Sequence, residues 1–388
     1  MTTHTRKIVY VAMSGGVDSS VAAALLQKEG HEVRGVFMRY WGDVDDLMPQ
    51  GEDFTNCCNI EAMNDAQRVC DHLGIPLSII DLRGAFREQV VRHFLKGYEQ
   101  GSTPNPCVEC NRSIKFELIE KILSEASEQE KEYILFATGH YIRKITNYQL
   151  PITNYERLFV AKDTKKDQSY FLYTLTQEKL RKLFFPLGDY TKPEVRDLAI
   201  QFGLPVAHKK ESQEVCFVKD HVNDFLASRL KNVQPGPMVL ATGEVVGEHR
   251  GLPFYTLGQR QGLNLGSGGP YVVVEKKMET NTLVVARQLE DQLLYHQEVE
   301  LKNVNWVSGV VPSGTIHVIA KPRYRHPGAP AIVNVNPTSY KLQAISCVFK
   351  TPERALTPGQ SVVFYQNAPD GLEVIGGGII DALKEGHL

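Results

Sequence analysis

The feature that most constrains the fold is an apolar run that leads through two glycines directly into a helical stretch. Residues 7–13 read KIVYVAM, residues 14–20 read SGGVDSS, and the following stretch predicts a helix over residues 19–29 that ends at Gly30. Glycines let a backbone approach phosphate oxygens, serine hydroxyls supply hydrogen-bond donors, and a helix amino terminus offers unpaired N–H groups with a favourable dipole. The segment therefore predicts a strand, a polyphosphate-binding turn and a helix.

The same alternation of strand and helix continues over the first half of the chain. Strand-like runs read HEVRGVFM, PLSIIDL and YILFATGHY, and helices are predicted over residues 60–73, 85–98 and 113–126. Strands separated by helices of this length need crossover connections, which produce a parallel sheet covered on both faces. We therefore predict an α/β domain over residues 1–223.

The second half of the chain differs in composition and in its pattern of apolar residues. From about Asp224, glycine and proline are frequent between short strand-like runs such as YVVVE and TLVVA, which predicts a small, turn-rich β domain over residues 224–293. Beyond it, runs such as TIHVIAKPRY and KLQAISCVF recur at strand-and-turn spacing. This pattern is typical of antiparallel all-β folds, and we predict an antiparallel β-barrel over residues 294–388.

The bulk composition limits the class of protein. Hydrophobic residues make up 42% of the 388 residues and charged residues 23%, as in soluble globular proteins. No segment reads as a signal peptide or is long enough to span a bilayer, and the seven cysteines include a CxxC, so we expect reduced thiols in the cytoplasm. Because the net charge is only −2, any basic surface for a nucleic acid must be local.

The phosphate-binding turn differs from the two most familiar kinds. The chain has no GxxxxGK[ST] motif, and GxGxxG is absent at this turn. The heptapeptide at residues 14–20 instead resembles the SGGxDS loop of the ATP pyrophosphatase family, whose members adenylate a carbonyl-type oxygen and release pyrophosphate. That resemblance implies ATP chemistry without identifying the second substrate.

Two further segments carry cysteines whose neighbouring residues bear on the reactivity of the thiol. A proline-rich loop leads to Cys107 and Cys110 at the predicted start of a helix, where the dipole and the neighbouring Arg112 and Lys115 favour a thiolate. Such a cysteine is a nucleophile or a metal ligand. Cys216 follows two lysines in KKESQEVCFV, and the residues alone explain it equally well as a buried structural cysteine.

These segments, in this order, resemble those of the tRNA-specific 2-thiouridylases. The similarity continues through KDQSYFLY at residues 166–173, GEHRGLPFYTLGQRQGL in the predicted middle domain and KPRYRH near the carboxyl end, and so spans nearly the whole chain. It implies a parallel-sheet, adenine nucleotide alpha hydrolase-like (PP-loop) domain followed by two β domains. It also implies an enzyme that uses ATP and Mg²⁺ to replace the 2-oxygen of the wobble uridine in tRNA with sulfur.

The resemblance further implies roles for single residues. In the family, the cysteine matching Cys216 receives sulfur as a persulfide and the cysteine matching Cys110 is its partner nucleophile. Many relatives carry aspartate at Cys107, so that residue joins the candidate catalytic set without the acid/base role of the aspartate. The implied nucleotide contacts are Ala12, Met13, Ser14, Gly15, Gly16, Val17, Asp18, Ser19, Met38 and Gly139. The implied tRNA contacts are Asn105, Pro106, Cys107, His140, Lys166, Asp167, Gln168, Arg323, Tyr324 and Gln360.

The source of sulfur and the use of the thiols leave alternatives open. The resemblance implies a sulfur donor such as a cysteine desulfurase or a sulfur-relay protein, and a reductant must reset the thiols. Alternatively, Cys107, Cys110 and Cys216 can hold a [4Fe–4S] cluster that binds hydrosulfide, and CxxC also suits zinc or simple redox work. Neighbouring side chains such as Cys57 and Cys58 rarely converge on one metal, so no metal site is assigned.

Two other functions compete with tRNA thiolation at this point. One is another ATP pyrophosphatase, such as an amidotransferase or an argininosuccinate-type ligase, which would activate a small substrate without paired cysteines. The other is a noncatalytic RNA-binding or thiol-sensing protein that has kept the fold. The paired Cys110 and Cys216 disfavour the first alternative, and the intact SGGVDSS loop disfavours the second.

Overall fold

The computed structural model describes nine stretches of the chain. They are residues 6–41, 60–131, 133–147, 155–210, 215–218, 221–266, 269–287, 291–335 and 345–384. Cys57 and Cys58 lie outside these described residues. Within the nine stretches, no helix combines the length and the apolar character needed to cross a membrane.

The described residues form ten α-helices, all of which end before residue 230. They are α1 (Val17–Lys28), α2 (Ile60–Leu73), α3 (Arg83–Phe86), α4 (Arg92–Glu99), α5 (Pro106–Cys110), α6 (Glu117–Glu125), α7 (Glu128–Lys131), α8 (Gln177–Arg181), α9 (Lys192–Gln201) and α10 (Val222–Arg229). Single π-helical turns at Arg87–Val91 and Asn111–Lys115 follow α3 and α5. The helix predicted over residues 85–98 is therefore present, but a π-helical turn interrupts its α-helical hydrogen bonding.

Seventeen strands and three short 3₁₀ turns complete the described secondary structure. The strands are β1 (Ile8–Met13), β2 (Glu32–Arg39), β3 (Leu77–Asp81), β4 (Ile134–Ala137), β5 (Arg143–Asn147), β6 (Tyr155–Phe159), β7 (Leu183–Phe184), β8 (Gly236–Val239), β9 (Val245–His249), β10 (Val272–Lys277), β11 (Thr282–Ala286), β12 (Tyr295–Trp306), β13 (Gly314–Lys321), β14 (Ala329–Val335), β15 (Ile345–Arg354), β16 (Ser361–Ala368) and β17 (Gly371–Lys384). The 3₁₀ turns are Ser169–Phe171, Leu252–Phe254 and Gln292–Leu294.

The amino-terminal half is built on a five-stranded parallel sheet in the order β3-β2-β1-β4-β7. Alternate residues of β1 point to opposite faces, as a strand requires. Val9 lies in the core with Val21 of α1 and Val195 of α9, whereas Tyr10 stacks on Phe136 in the other core. The α/β prediction is confirmed, since helices cover both faces of the sheet.

The strand order places a ligand site between β1 and β4. The chain runs from β1 outward to β2 and β3, and then returns to the opposite side of β1 as β4. In open α/β sheets, such a reversal leaves a crevice at the carboxyl ends of the two strands, where ligands bind. Here β1 ends at Met13, immediately before the SGGVDSS loop, and β4 ends at Ala137, immediately before Thr138 and Gly139.

The middle segment forms a second, four-stranded sheet in the order β10-β11-β8-β9. The β11–β8 pair is parallel and the other two pairs are antiparallel. Apolar residues of this sheet and its loops, such as Phe254 and Val273, share one core with Phe86, Phe94 and Phe225. The predicted small, turn-rich β unit is confirmed, and it is packed against the helices that surround α5.

The carboxyl-terminal segment forms a closed antiparallel β-barrel. Six strands follow the order β12-β15-β14-β13-β16-β17, and pairing of β12 with β17 closes the barrel. Buried residues such as Val299, Val333, Phe349 and Phe364 fill its interior. Closure removes both free sheet edges of the six strands.

A hairpin from the amino-terminal half extends the sheet of the barrel. Strands β5 and β6 pair with each other, and β6 continues the sheet beside β17. Arg157 on β6 donates to the buried Glu373 on β17 through two nitrogens, at 2.8 and 2.5 Å. The hairpin joins the α/β half to the barrel, and the domain boundaries at residues 223 and 293 stay predictions.

Candidate active site

One cavity of about 1290 Å³ lies where the α/β half, the cysteine segments and the barrel meet. Its wall includes the loop after β1, the start of α5, the segment around Cys216 and the loop after β13. Ligand pockets commonly measure about 300–1,000 Å³. The cavity therefore has room for a nucleotide together with a second group.

The phosphate loop is held by hydrogen bonds among its own residues. Ser19 Oγ accepts from the Ser14 backbone nitrogen at 3.1 Å and donates to the Gly16 carbonyl at 3.2 Å. Ser20 Oγ donates to the same carbonyl at 2.8 Å. These short-range bonds shape the loop at the amino terminus of α1, and a helix amino terminus offers N–H groups that the helix itself does not pair.

At two positions in the loop region, neighbouring backbone atoms leave no room for a side chain larger than that of glycine. Gly15 has φ +70°, and a Cβ atom on it would lie 2.2 Å from the Ala62 carbonyl oxygen of α2. A Cβ atom on Gly139 would lie 2.7 Å from the Ser19 backbone nitrogen. The two glycines thus let α2 and the end of β4 approach the loop closely. All ten predicted nucleotide contacts line the cavity, and their role stays a prediction.

Asp18 of the loop is paired with a lysine that the sequence analysis did not select. Lys192 Nζ donates to Asp18 Oδ1 at 2.7 Å, and Tyr141 Oη donates to the same oxygen at 2.7 Å. Lys192 is 8% exposed, and it is the first residue of α9, whose amino end is fixed by a capping box between Thr191 and Glu194. The sequence signal was the Thr-Lys-Pro-Glu helix start.

A second lysine connects the loop to the segment that carries Cys216. Lys209 Nζ donates to the Gly15 carbonyl at 3.2 Å and to the Asp65 carboxylate on α2. Burial of Asp65 disfavours its charged form, but hydrogen bonds from Lys209 and Arg68 outweigh this and lower its pKa. Asp65 therefore stays ionised as a fixed partner of Lys209.

The CxxC motif lies within the short helix α5, whereas the sequence predicted a loop that leads to the start of a helix. Asn105 is the N-cap, and its Oδ1 accepts from the backbone nitrogens of Cys107 at 3.1 Å and Val108 at 3.3 Å. Cys107 is exposed, whereas Cys110 is buried at 6% exposure. Both line the cavity.

The sequence predicted that Arg112 acts on the thiols, but in the structure its side chain pairs with a carboxylate. Its Nη2 donates to both carboxylate oxygens of Glu109, at 2.9 and 2.7 Å, so its charge is already compensated. Lys115, the other predicted cation, lines the cavity. Of the two predicted cations, Lys115 is therefore the one that lines the cavity with Cys107 and Cys110.

Cys216 is held at the cavity by the aromatic residue that follows it. Phe217 is buried among Phe86, Phe94 and Phe225, with ring centroids 5.6, 5.4 and 5.1 Å away. Such pairs each contribute about 0.5–1.5 kcal/mol beyond the burial of area. The half-buried Cys216 is thereby fixed at the wall that it shares with Cys110.

Cys107, Cys110 and Cys216 are the three thiols that the sequence offers as cluster ligands. Within the nine described stretches, no three His, Cys, Asp or Glu side chains are arranged to hold a metal ion. Cys107, Cys110 and Cys216 line the same cavity, and their use as ligands of an iron–sulfur cluster stays a prediction.

The predicted tRNA contacts fall into two groups. Seven line the cavity: Pro106, Cys107, His140, Lys166, Asp167, Gln168 and Tyr324. Asn105, Arg323 and Gln360 lie outside its wall: Asn105 caps α5, Arg323 Nη1 donates to the Arg354 carbonyl, and Gln360 Nε2 donates to the Thr103 carbonyl. Their role in RNA binding stays a prediction.

Two of the residues in the wall also have structural partners. Asp167 is buried and accepts from the Ala161 nitrogen at 3.0 Å and from Ser169 Oγ at 2.6 Å, and burial raises its pKa. His140 Nδ1 is 2.8 Å from Thr138 Oγ1, and burial, helped by Lys115, lowers the pKa of His140 to about 3. The imidazole at this edge is therefore neutral near pH 7.

The cavity is strongly basic although the chain as a whole is not. Seven lysines and one arginine line it against three carboxylates, whereas the net charge of the chain is −2. The cations are Lys115, Lys165, Lys166, Lys192, Lys209, Lys210, Lys321 and Arg325. This local concentration of charge suits polyanions such as a nucleotide triphosphate and a nucleic-acid backbone.

Comparison with known proteins gives matches along almost the whole chain. The family model described as tRNA methyl transferase HUP domain matches residues 7–220, the tRNA methyl transferase PRC-barrel domain matches residues 223–287, and the Aminomethyltransferase beta-barrel domain matches residues 296–380. The first model alone covers more than half of the chain.

Curated relatives match with similar coverage. The chain is 43% identical over 378 residues to tRNA-specific 2-thiouridylase MnmA of Carboxydothermus hydrogenoformans, which covers 97% of this chain and 98% of the relative. The protein of the same name in Moorella thermoacetica is 44% identical over 379 residues, or 97% and 99% of the two chains. tRNA-specific 2-thiouridylase MnmA 1 of Caldanaerobacter subterraneus subsp. tengcongensis is 46% identical over 378 residues, or 96% and 97%.

Proposed function

The chain belongs to the tRNA-specific 2-thiouridylase family, and from that membership we propose that it replaces the 2-oxygen of the wobble uridine in tRNA anticodons with sulfur, using ATP. It is accordingly a transferase that binds tRNA and ATP. The observation that carries the proposal is that the phosphate loop, Cys110 and Cys216 line one cavity.

The first step is activation of the uridine. The triphosphate of ATP lies along residues 12–19, with Met38 and Gly139 beside it, at the switch point of the parallel sheet. The 2-carbonyl oxygen of the uridine attacks the α-phosphorus, and the bond from that phosphorus to pyrophosphate breaks. The product carries AMP on O2, which turns a poor leaving group into a good one.

Lysines supply the positive charge that this step needs. Lys192 and Lys209 are fixed beside the loop by Asp18 and Asp65, so their ammonium groups require little rearrangement before the reaction. Pre-placed cations stabilise the charge that develops on the departing pyrophosphate. We propose that Lys192 contacts the phosphates directly and that Asp18 holds it in place.

The second step is transfer of sulfur. A persulfide on Cys216 attacks C2 through its terminal sulfur, and the Cys110 thiolate then attacks the Cys216 sulfur atom. The sulfur–sulfur bond of the persulfide breaks, AMP leaves, and the base keeps the sulfur as a thiocarbonyl. The two cysteines end as a disulfide, which an external thiol reductant returns to thiols.

Metal ions have no assigned step in this scheme. No three His, Cys, Asp or Glu side chains of the described residues are arranged to hold a metal ion, so neither Mg²⁺ nor a cluster is assigned a step. Cys107 stays in the candidate catalytic set because it lines the cavity, and a Cys107→Ser variant that retains activity would limit the reaction to the other two thiols. The sulfur donor, such as a cysteine desulfurase or relay protein, and a cytoplasmic location remain parts of the proposal.

Recognition of the tRNA is assigned to the barrel side of the cavity. Lys321, Tyr324 and Arg325, from β13 and the loop after it, line the cavity. An anticodon base that is turned out of its stack can be held by an aromatic face and by edge hydrogen bonds, while cations contact its phosphates. Cys110 and Cys216 line the same cavity and meet the base there.

Mass analysis of nucleosides tests the proposal. Unmodified anticodon stem-loop RNA is incubated with the protein, ATP, a persulfide source and a reductant, and is then digested. We expect a nucleoside in which sulfur has replaced oxygen, formed only when ATP is present. A methylated nucleoside, or a thiolated one formed without ATP, would contradict the proposed reaction.

A further inference from the structure

The connection between β13 and β14 carries two of the implied tRNA contacts, Arg323 and Tyr324, on a tight turn. The His326 backbone nitrogen donates to the Arg323 carbonyl at 3.1 Å, which closes a β-turn. Tyr324 and Arg325 occupy its central positions, and both line the cavity. The placement of this turn therefore decides where the cavity offers an aromatic ring and a cation to RNA.

The side chain of His326 ties the turn to the end of β15. His326 Nε2 is 3.0 Å from Glu353 Oε2 on β15, and the Gly328 backbone nitrogen donates to His326 Nδ1 at 3.1 Å. The side chains of His326 and Glu353 are 9% and 15% exposed, so bulk water screens their contact little. Arg323 Nη1 donates to the Arg354 carbonyl at 3.0 Å. The first and the last residue of the turn are thus both bonded to neighbouring residues of one strand.

These contacts determine which form of the imidazole fits. The Gly328 N–H group is a donor, so Nδ1 of His326 carries no hydrogen, and Nε2 carries the hydrogen and donates to Glu353. A proton on Nδ1 would point two N–H groups at each other. Burial is the main reason why the pKa of His326 is lowered. Glu353 raises this pKa, and the cations Arg323 and Lys321 lower it. The neutral imidazole therefore satisfies both of its nitrogens.

The turn is also held from two other directions. Gly328, which donates to the imidazole, has φ +103°, and a Cβ atom on it would lie 2.6 Å from the Ile319 side chain of β13. Tyr324 Oη donates to the Asp167 carbonyl at 3.0 Å, and the Tyr324 ring lies 4.5 Å from the ring of Phe171. Asp167 is another implied tRNA contact. A shift of the turn would therefore change the spacing between RNA contacts on the barrel and on the α/β half.

We infer that His326 is a positioning residue for tRNA binding: held as a neutral imidazole between Gly328 and Glu353, it fixes the turn that presents Tyr324 and Arg325 to the RNA. The inference rests on the proposed function. His326 itself lines the cavity, so a direct contact to RNA is the competing role. Glu353 separates the two roles, because it is not among the described residues that form the cavity wall. A positioning role needs Glu353, whereas a direct contact does not.

Three variants of His326 divide its two hydrogen bonds. His326→Asn keeps a short acceptor for the Gly328 N–H and loses the bond to Glu353. His326→Gln keeps a longer donor for Glu353 and loses the bond to Gly328. His326→Leu loses both. The control is His317→Leu, because His317 lies exposed on β13 of the same barrel.

Two variants of Glu353 distinguish a neutral hydrogen bond from an ion pair. Glu353→Gln keeps an acceptor oxygen for Nε2–H without a charge, and Glu353→Met removes the acceptor. For every variant, the measurements are the Kd for unmodified tRNA, the Kd for ATP and the rate of thiouridine formation at saturating tRNA. Nitrogen NMR of the histidine rings reports the tautomer, and the signals missing from His326→Leu identify His326.

We expect His326→Leu and Glu353→Met to raise the Kd for tRNA about tenfold, and His326→Asn and His326→Gln to raise it about threefold. Glu353→Gln should stay within about twofold of the parent protein, because a neutral imidazole needs an acceptor and not a charge. The Kd for ATP and the rate at saturating tRNA should change by less than about twofold in every variant, since the phosphate loop and the thiols keep their own contacts. The control should match the parent, and the His326 signals should be those of the neutral ring with hydrogen on Nε2.

Three results would overturn the inference. A raised Kd for tRNA in His326→Leu with an unchanged Kd in Glu353→Met would make His326 a direct RNA contact. Equal losses in Glu353→Gln and Glu353→Met, with the NMR signals of an imidazolium, would replace the neutral clamp by an ion pair. An unchanged Kd for tRNA in all five variants would leave the turn without need of His326. If the parent protein binds tRNA but forms no thiouridine, the proposed function fails, and the Kd series and the NMR signals still decide the role of His326.

Discussion

The nucleotide side and the sulfur side of the cavity are built in different ways. The phosphate loop is made from consecutive residues, and Ser14, Gly16 and Ser19 hold one another through hydrogen bonds no more than five residues apart. The sulfur side combines Cys110, Cys216 and the loop after β13, which lie more than 100 residues apart from one another. A local motif thus builds one half, whereas packing between distant segments builds the other.

Because the two sides are built from different segments, we expect that mutation can separate the two chemical steps. A change in the phosphate loop should stop activation, and with it everything that follows. A change among the thiols should leave activation intact and stop only the transfer of sulfur. The predictions below test this division, beginning with the largest expected effect.

Substitution of the cysteines should separate activation of the uridine from sulfur transfer most completely. In Cys216→Ser, no thiouridine should form, because a hydroxyl cannot carry sulfane sulfur, and Cys110→Ser should fail because the persulfide cannot be resolved. Both variants should keep tRNA-dependent ATP–pyrophosphate exchange within about twofold of the parent. Cys347→Ser serves as the control, since Cys347 is buried in the barrel. Loss of ATP–pyrophosphate exchange in Cys216→Ser would contradict the proposed separation of activation from sulfur transfer.

Lys192 tests the nucleotide side. Lys192→Met removes the ammonium group that compensates Asp18, so ATP–pyrophosphate exchange should fall about 10²-fold, or about 2.7 kcal/mol. Lys162→Met is the control, because Lys162 forms only an exposed ion pair with Glu194 near the same helix end, and it should change the rate by less than about twofold. Equal effects of the two variants would remove Lys192 from the mechanism.

Comparison of two glycine substitutions distinguishes the cost of a steric clash from the cost of an unfavourable backbone conformation. Gly15→Ala combines a positive φ with a Cβ atom 2.2 Å from the Ala62 carbonyl, so it should destabilise the fold by about 3 kcal/mol and weaken ATP binding. Gly30→Ala also has a positive φ, but no atom lies within 4 Å of the new Cβ, so it should cost about 1 kcal/mol and leave ATP affinity unchanged. Urea denaturation and ATP titration measure the two quantities. Similar costs for both would show that the contact with α2 is unimportant.

The smallest predicted effect concerns the barrel. Arg323→Ala should weaken tRNA binding and reduce the slope of log affinity against log salt by about one counterion. Lys302→Ala is the control, because Lys302 on β12 is paired with Asp381 away from the cavity wall. Binding measured from low to moderate salt gives both slopes. An unchanged slope for Arg323→Ala would confine the RNA contact to the cavity-lining Arg325 and its neighbours.

The sequence predicted the nucleotide side better than the sulfur side for a physical reason. SGGVDSS carries its own geometry, since glycine conformation, serine hydrogen bonds and the helix start are all local. The alternation of strands and helices likewise predicted the parallel sheet and the end of the sheet at which the loop lies. The spacing of the strand-like runs indicated an all-β carboxyl-terminal domain, whereas closure of the barrel depends on the pairing of β12 with β17.

Contacts between residues that are far apart in the sequence could not be predicted from a local motif. The pairing of Lys192 with Asp18 spans 174 positions, and the bond from Gln360 to Thr103 spans 257. Arg112 seemed free to act on the thiols, but an acidic neighbour three positions away pairs with it. In each case the side chain type was visible in the sequence, whereas its partner depended on tertiary packing.

The most direct test of the central claim follows a single turnover in which Cys216 carries an isotopically labelled persulfide. The protein is mixed with ATP and unmodified tRNA without reductant, and both products are analysed by mass spectrometry. We predict that the label enters the 2-position of one uridine and that one disulfide between Cys110 and Cys216 forms for each thiouridine, only when ATP is present. Labelled thiouridine formed without that disulfide, or formed equally well without ATP, would contradict the account of one cavity in which activation and sulfur transfer occur in sequence.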